Sequence, residues 1–281
     1  MDYISLNDYI EKYNLSDKIY TDDIDCYINI PEYNFVYNKL WLSRSLGMLC
    51  GPMGVYPAEY PIIFKPIVNL YGLSRGFKKI HNEKEYELEK KDGFFWQPFF
   101  GGKHIVCDLV LDDTKIVFSS FLRSYPGEKG SFKLHHTTVY VLPEKIKQWI
   151  CKYLKHYRGC LNFDIIGGTI VECHLRLNGD FHLYNKYFCL QLHRFMENKS
   201  NIIEYNIPII YIFPVFIERK DKNMFKKKKQ NIHKLLKKYT NTFYFDDIDA
   251  DYHTQLVRVI MFDTINFMDG LKLQKSINYS I

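Results

Sequence analysis

Gly159-Cys160-Leu161-Asn162-Phe163-Asp164-Ile165-Ile166-Gly167-Gly168-Thr169-Ile170-Val171-Glu172-Cys173-His174-Leu175-Arg176 is the stretch on which the reading of this chain turns. It reads as two short apolar strands joined by a Gly-Gly turn. Alternation places Asn162 and Asp164 on one face of the first strand, and Glu172, His174 and Arg176 on one face of the second. Two carboxylates, an imidazole and a guanidinium therefore meet across one hairpin face. A core strand pair has no use for such a cluster, because burying unpaired charge costs several kcal/mol. Carboxylates on neighbouring strands do suit a Mg²⁺ ion held between a protein and a nucleotide's phosphates.

Working upstream, Pro143–Tyr157 carries Ile146, Trp149, Ile150 and Tyr153 at helical spacing. Before it, Ser124–Thr137 contains Pro126-Gly127 and Gly130 and reads as a long loop, with Arg123, His135 and His136 as candidate substrate contacts. Strands are expected at Tyr60–Lys65, Phe77–Ile80, Phe94–Phe100, His104–Leu111 and Ile116–Phe121. Helices are expected at Asn38–Met48 and Asn82–Lys91. Residues 1–36 read as a short helix followed by a loop or strand. Downstream, a helix near Leu190–Lys199 leads to a strand at Ile207–Ile217, a lysine-rich helix, a strand at Phe243–Phe245 and a final helix or strand at His253–Phe262. Asp246–Asp251 resembles the start of a calcium loop, but Tyr252 replaces its glycine and Arg258 its bidentate glutamate, which excludes an EF-hand.

The 281 residues are 47% hydrophobic and 25% charged, an ordinary globular composition with material for a full core. The 17% aromatic share, with many Tyr, Phe, Asn, Lys and Ile, points to an AT-rich coding sequence, viral or parasitic. Seven scattered cysteines without a CxxC pair exclude a disulfide framework and a structural zinc site and fit a reducing compartment. The N-terminus is acidic and polar, unlike a secretory signal, and Ile207–Ile217 is too short to span a bilayer. The expectation is a cytoplasmic protein with no membrane partner, in host cytoplasm if viral. The net charge of +6 is concentrated in Arg219–Lys238, which reads as a solvated helix face or as a phosphate-binding patch for nucleic acid.

Taken in order, several segments resemble the ATP-grasp superfamily over residues 37–190. Asn38-Lys39 before a helix looks like the family's early lysine segment. Ile62-Ile63-Phe64-Lys65-Pro66 looks like the strand whose lysine reaches the α- and β-phosphates. Gly72, Ser74 and Gly76 fall in the phosphate-covering loop, and Gln97 and Phe99 fall where the inter-lobe hinge meets adenine. Asn162-Phe163-Asp164 and Glu172-Cys173-His174-Leu175-Arg176 are similar to the metal-binding pair and the Glu-x-Asn-x-Arg signature.

The resemblance implies an α+β fold: a two-lobed nucleotide-binding body over 37–190, a short N-terminal segment over 1–36, and a C-terminal α/β extension over 191–281. It implies an ATP- and Mg²⁺-dependent, ADP-forming ligase that joins a carboxylate, small or peptidic, to an amine through an acyl phosphate. Lys39 and Lys65 would neutralise phosphate, Asp164, Glu172 and His174 would hold metal, and Arg176 with Lys65 would serve catalysis. The sequence departs from the pattern at His174, where asparagine is usual, at Gln97-Pro98, where an acidic hinge is usual, and at His104, near a usual glutamate. Segment 1–36 is too short for the family's N-terminal substrate domain, so residues 191–281 or a protein partner would take that role. A degenerate fold that binds nucleotide or a partner without turnover, and a nucleic-acid-associated protein using the basic patch, are the competing readings.

Overall fold

Asn38 starts a helix by lending its side chain to the backbone: its carboxamide oxygen accepts from the Trp41 amide at 2.9 Å. Asp22 caps the preceding helix in the same way, accepting from Asp25 N at 2.8 Å, and Asn82 accepts from Glu85 N at 2.9 Å. The computed structural model describes residues 19–20, 22–71, 76–127, 131–178, 191–198, 201, 209–240, 242–245 and 256–280. In chain order the elements are α1 Asp23–Asn29, a 3-10 helix Pro31–Tyr37, α2 Lys39–Ser45, β1 Gly51–Pro52, β2 Ile62–Pro66, β3 Lys78–Ile80, α3 Glu83–Glu89, β4 Phe94–Pro98, β5 His104–Asp112, β6 Lys115–Pro126, β7 Phe132–Thr137 and α4 Glu144–Tyr153. They continue with β8 Arg158–Ile166, β9 Thr169–His174, β10 Tyr211–Glu218, α5 Lys222–Tyr239, β11 Thr242–Phe245, β12 Leu256–Thr264 and α6 Phe267–Ser280.

The chain divides into two compact units rather than at residues 36 and 190. Among the described residues one unit is 19–121 with 140–178; the other is 122–139 with those from 191 onward. The reason lies in strand pairing. The segment read as a long loop is a hairpin: β6 extends to Pro126, Gly127 N donates to Ser131 O at 2.7 Å, and β7 pairs with β10 through Tyr211–His136. That pairing draws Leu122–Val139 into the same unit as the C-terminal residues.

The first unit holds a four-stranded sheet in the order β1-β4-β2-β3, and strands β5, β8 and β9 side by side. All pairs in the small sheet are antiparallel, as are β5–β8 and β8–β9. Alternation along β8 sends Leu161, Phe163 and Ile165 into a core with Trp149, Ile150 and Leu154 of α4 and its C-cap. The opposite face carries Asn162 and Asp164. The Gly167-Gly168 turn is held by close packing: Gly167 has φ +58, donates to Lys103 O at 3.1 Å, and a Cβ there would meet Gly101 O at 2.6 Å. Glycine alone fits that conformation and that approach.

In the second unit the strands follow the order β11-β12-β10-β7, with the end of β6 beside β7. Helix α5 buries Phe225, Ile232 and Leu236 in a core with β10 and β12. Its lysines occupy the rest of its circumference. The segment expected to be a final helix or strand is β12, and α6 follows it. The Asp246–Asp251 segment lies outside the described residues. Among the described residues no helix is long and apolar enough to cross a membrane.

Candidate active site

The small sheet and the β8–β9 hairpin wall an open cleft of about 670 Å³ inside the first unit. From β2 come Ile63, Lys65 and Pro66; from β4 and the turn after it, Gln97, Phe99 and Phe100. Phe77 and Lys39 complete that side. His104, Asp164, Ile166, Val171 and Glu172 line the other. Helix α5 belongs to the second unit and contributes none of these residues. Mostly apolar walls with a few convergent charges are the usual composition of a small-molecule site.

Asp164 and Glu172 are direct register partners across β8 and β9, brought opposite each other by a register shift between Asp164 and Ile165, without which Asp164 would face Val171. Glu172 Oε1 accepts from Lys39 Nζ at 2.6 Å, both side chains being largely buried. Burial works to raise the Glu172 pKa, but the Lys39 ammonium, the His174 imidazole and Lys65 overcome it and hold the carboxyl well below its usual range. Lys65 Nζ donates to Val171 O at 3.0 Å, beneath the same strand. Burial pushes the Lys65 ammonium down to about 7, against the pull of Glu172 and with the help of repulsion from Lys39. Asp164 also pulls the pKa upward, but burial and Lys39 outweigh both carboxylates. Asp164 Oδ1 lies 3.2 Å from His104 Nε2, and its side chain is 26% exposed at the cleft.

Among the sequence-predicted residues, the cleft gathers Lys39, Lys65, Gln97, Phe99, Asp164 and Glu172. Gln97 is buried, its Oε1 accepting from Ser43 Oγ at 3.1 Å, and Phe99 is 45% exposed under the Lys79 ammonium. Gly72 and Ser74 lie outside the described residues. Gly76 is left-handed, with φ +76, and is not part of the cleft wall.

His174 and Arg176, expected as metal ligand and catalytic residue, are drawn to Asp23 rather than to the cleft wall. His174 Nδ1 is 3.1 Å from both Asp23 oxygens, and Arg176 Nη2 donates to Asp23 Oδ2 at 2.9 Å. His174 Nε2 faces Glu172 Oε2 at 3.6 Å. Burial opposes ionisation of Asp23, but His174 and Arg176 outweigh it and bring its pKa down to about 2. For His174, burial and Arg176 push the pKa down, yet Asp23 and Glu172 carry it above its ordinary value. Asn162, offered as a weak ligand, instead donates through Nδ2 to Asp108 Oδ1 at 2.9 Å. Asp108 is fully buried and also accepts from Asn178 N at 2.6 Å. It was legible as the one acid inside the apolar run Ile105–Leu111; Asp23 carries no such signal.

Among the described residues no set of three or more His, Cys, Asp or Glu side chains is placed to hold a metal ion. What the cleft offers is a pair of carboxylates. A hard oxygen donor pair fits Mg²⁺, which takes one or two protein carboxylates and fills its remaining positions with phosphate oxygens and water.

No protein-family model matches the sequence, and no curated protein matches it. Solved structures do. N5-carboxyaminoimidazole synthetase from Staphylococcus aureus, complexed with ADP, matches with a TM-score of 0.62 at 11% identity, over 87% of this chain and 71% of that one. The synthase from Aspergillus clavatus, in complex with ADP and 5-aminoimidazole ribonucleotide, gives 0.62 at 10% identity, over 89% and 74%. An L-amino acid ligase from Bacillus licheniformis gives 0.60 at 10% identity, over 96% and 76%. At these identities the likeness is one of fold, and the fold is the α+β ATP-grasp fold.

Proposed function

We propose that the cleft binds ATP with a divalent cation and that the protein is an ADP-forming ligase joining a carboxylate to an amine. The observation that carries this is the convergence of two buried lysines and two register-paired carboxylates on one aromatic-walled cleft. Lys39 and Lys65 meet the phosphates as counter-charges, and phosphate adds negative charge that favours the Lys65 ammonium against its burial. Phe77, Phe99 and Phe100 offer an apolar bed for the base, and Gln97 a polar edge beside it. Asp164 and Glu172 would hold Mg²⁺, which would supply positive charge against the polyphosphate. In the reaction the substrate carboxylate takes the γ-phosphoryl group and releases ADP. The amine then attacks the acyl phosphate, forming the amide and expelling phosphate. Such chemistry asks the protein mainly for alignment and charge. The fold neighbours support the reading, since two are described as ADP complexes and one as an amino acid ligase.

The test is ADP release from ATP and MgCl₂ in the presence of pooled amino acids and small carboxylates. ADP that appears only when both an amine and a carboxylate are supplied supports ligation. The commitment of Arg176 to Asp23 favours a second reading, a fold that binds nucleotide without turnover. Tight ATP binding without ADP release under any pool selects that reading.

A further inference from the structure

Asp23 sits in the first turn of α1, far upstream of Glu172 and His174 in sequence, and only 2% of it is exposed. We propose that Asp23 is a positioning residue for the cleft, fixing Glu172 through His174; the proposal rests on the nucleotide-and-cation reading above.

The contacts form one chain. Both Asp23 oxygens face His174 Nδ1 at 3.1 Å, which assigns the Nδ1 proton to that bond. The ring is thereby held with Nε2 toward Glu172 Oε2, at 3.6 Å, while Glu172 Oε1 accepts from Lys39. Glu172 is thus gripped at one oxygen by a cleft lysine and approached at the other by an imidazole. Arg176 Nη2 holds Asp23 Oδ2 from another side, so the carboxylate that orients the ring is itself fixed. Tyr37 packs edge-on to the ring, with centroids 6.3 Å apart, limiting its rotation. A purely structural acid would need only Arg176; the imidazole between Asp23 and Glu172 is what ties α1 to the cleft. Groups that orient a ligating side chain typically govern metal affinity by about 10- to 100-fold.

The experiment compares the unmodified full chain with Asp23→Asn and His174→Gln. ATP binding is followed by calorimetry across a MgCl₂ titration and again in EDTA, with urea unfolding recorded for each variant. The expected result is a rise of about 10- to 100-fold in half-saturating Mg²⁺ for both variants. ATP affinity in EDTA should stay that of the unmodified protein. If Asp23→Asn does not fold, His174→Gln decides, because it leaves the Asp23–Arg176 pair in place. An unchanged Mg²⁺ requirement in a folded His174→Gln protein overturns the positioning role alone. ATP binding by the unmodified protein that ignores Mg²⁺ overturns both this role and the reading on which it rests.

Discussion

Lys39 Nζ and Glu172 Oε1 lie 2.6 Å apart, an ion pair that joins the first residue of α2 to edge strand β9 across 133 positions of sequence. Removing one partner of such a pair strands the other in a poorly solvated place. Lys39→Met should destabilise the protein by about 3 kcal/mol, at the lower end for broken buried pairs because Glu172 keeps some contact with the cleft. Adding Glu172→Gln should recover much of that loss. A double-mutant cycle in urea measures the coupling; additive losses would contradict the pairing.

Lys65 makes polyphosphate binding proton-linked. In the free protein its pKa of about 7 leaves the amine largely neutral at pH 8, whereas phosphate favours the ammonium. Binding should then draw a proton from solvent between about pH 7 and 10. Affinity should weaken as pH rises through that window, by up to about tenfold per unit. Calorimetry in buffers of different ionisation enthalpy counts the proton. Lys65→Met should abolish the uptake, and an uptake that survives the substitution would assign it elsewhere.

Asp23 ties the first unit's stability to acid pH. Its pKa falls from an ordinary 3.8 to about 2 in the folded protein, so its contribution is complete above 3.8 and disappears as pH drops through 2. Urea midpoints of the unmodified protein and Asp23→Ala should therefore differ at pH 7 and converge between about pH 4 and 2. A gap that stays constant over that range would mean that packing, not the ionised carboxylate, is what the residue supplies.

Gly167 and Gly168 should respond differently to alanine. Both have positive φ, but only at Gly167 would a Cβ collide, 2.6 Å from Gly101 O. Gly168→Ala should cost about 1 kcal/mol in backbone strain, and Gly167→Ala about 1–3 kcal/mol. Thermal unfolding ranks them; equal losses would contradict the close packing of Gly167 on Gly101 O.

Much of this was legible because strand alternation is local. The period of two in 159–176 marked Asn162 and Asp164 on one strand and Glu172 and His174 on the other as face-sharing residues, but what sets Asp164 opposite Glu172 is a register shift between Asp164 and Ile165 that the pattern does not signal. Lys65, Gln97 and Phe99 were legible as strand-end and hinge residues. What alternation cannot give is the partner brought from elsewhere. His174 and Arg176 shared the right face in sequence, yet Asp23, 151 positions from His174, claims both. The unit boundary was hidden for the same reason: Pro126-Gly127 read as loop punctuation, while the pairing of β7 with β10 depends on residues far downstream. Helix α6 was missed because its cap, Asn266 accepting from Met268 N at 2.9 Å, follows directly on a strand.

The most direct test of the cleft is calorimetric titration of ATP with MgCl₂ into the unmodified protein and into Lys65→Met and Glu172→Gln. The expected result is saturable, Mg²⁺-dependent binding that Lys65→Met weakens with or without the ion and that Glu172→Gln impairs chiefly when Mg²⁺ is present. No heat of binding to the unmodified, folded protein, or binding indifferent to both substitutions, would contradict it.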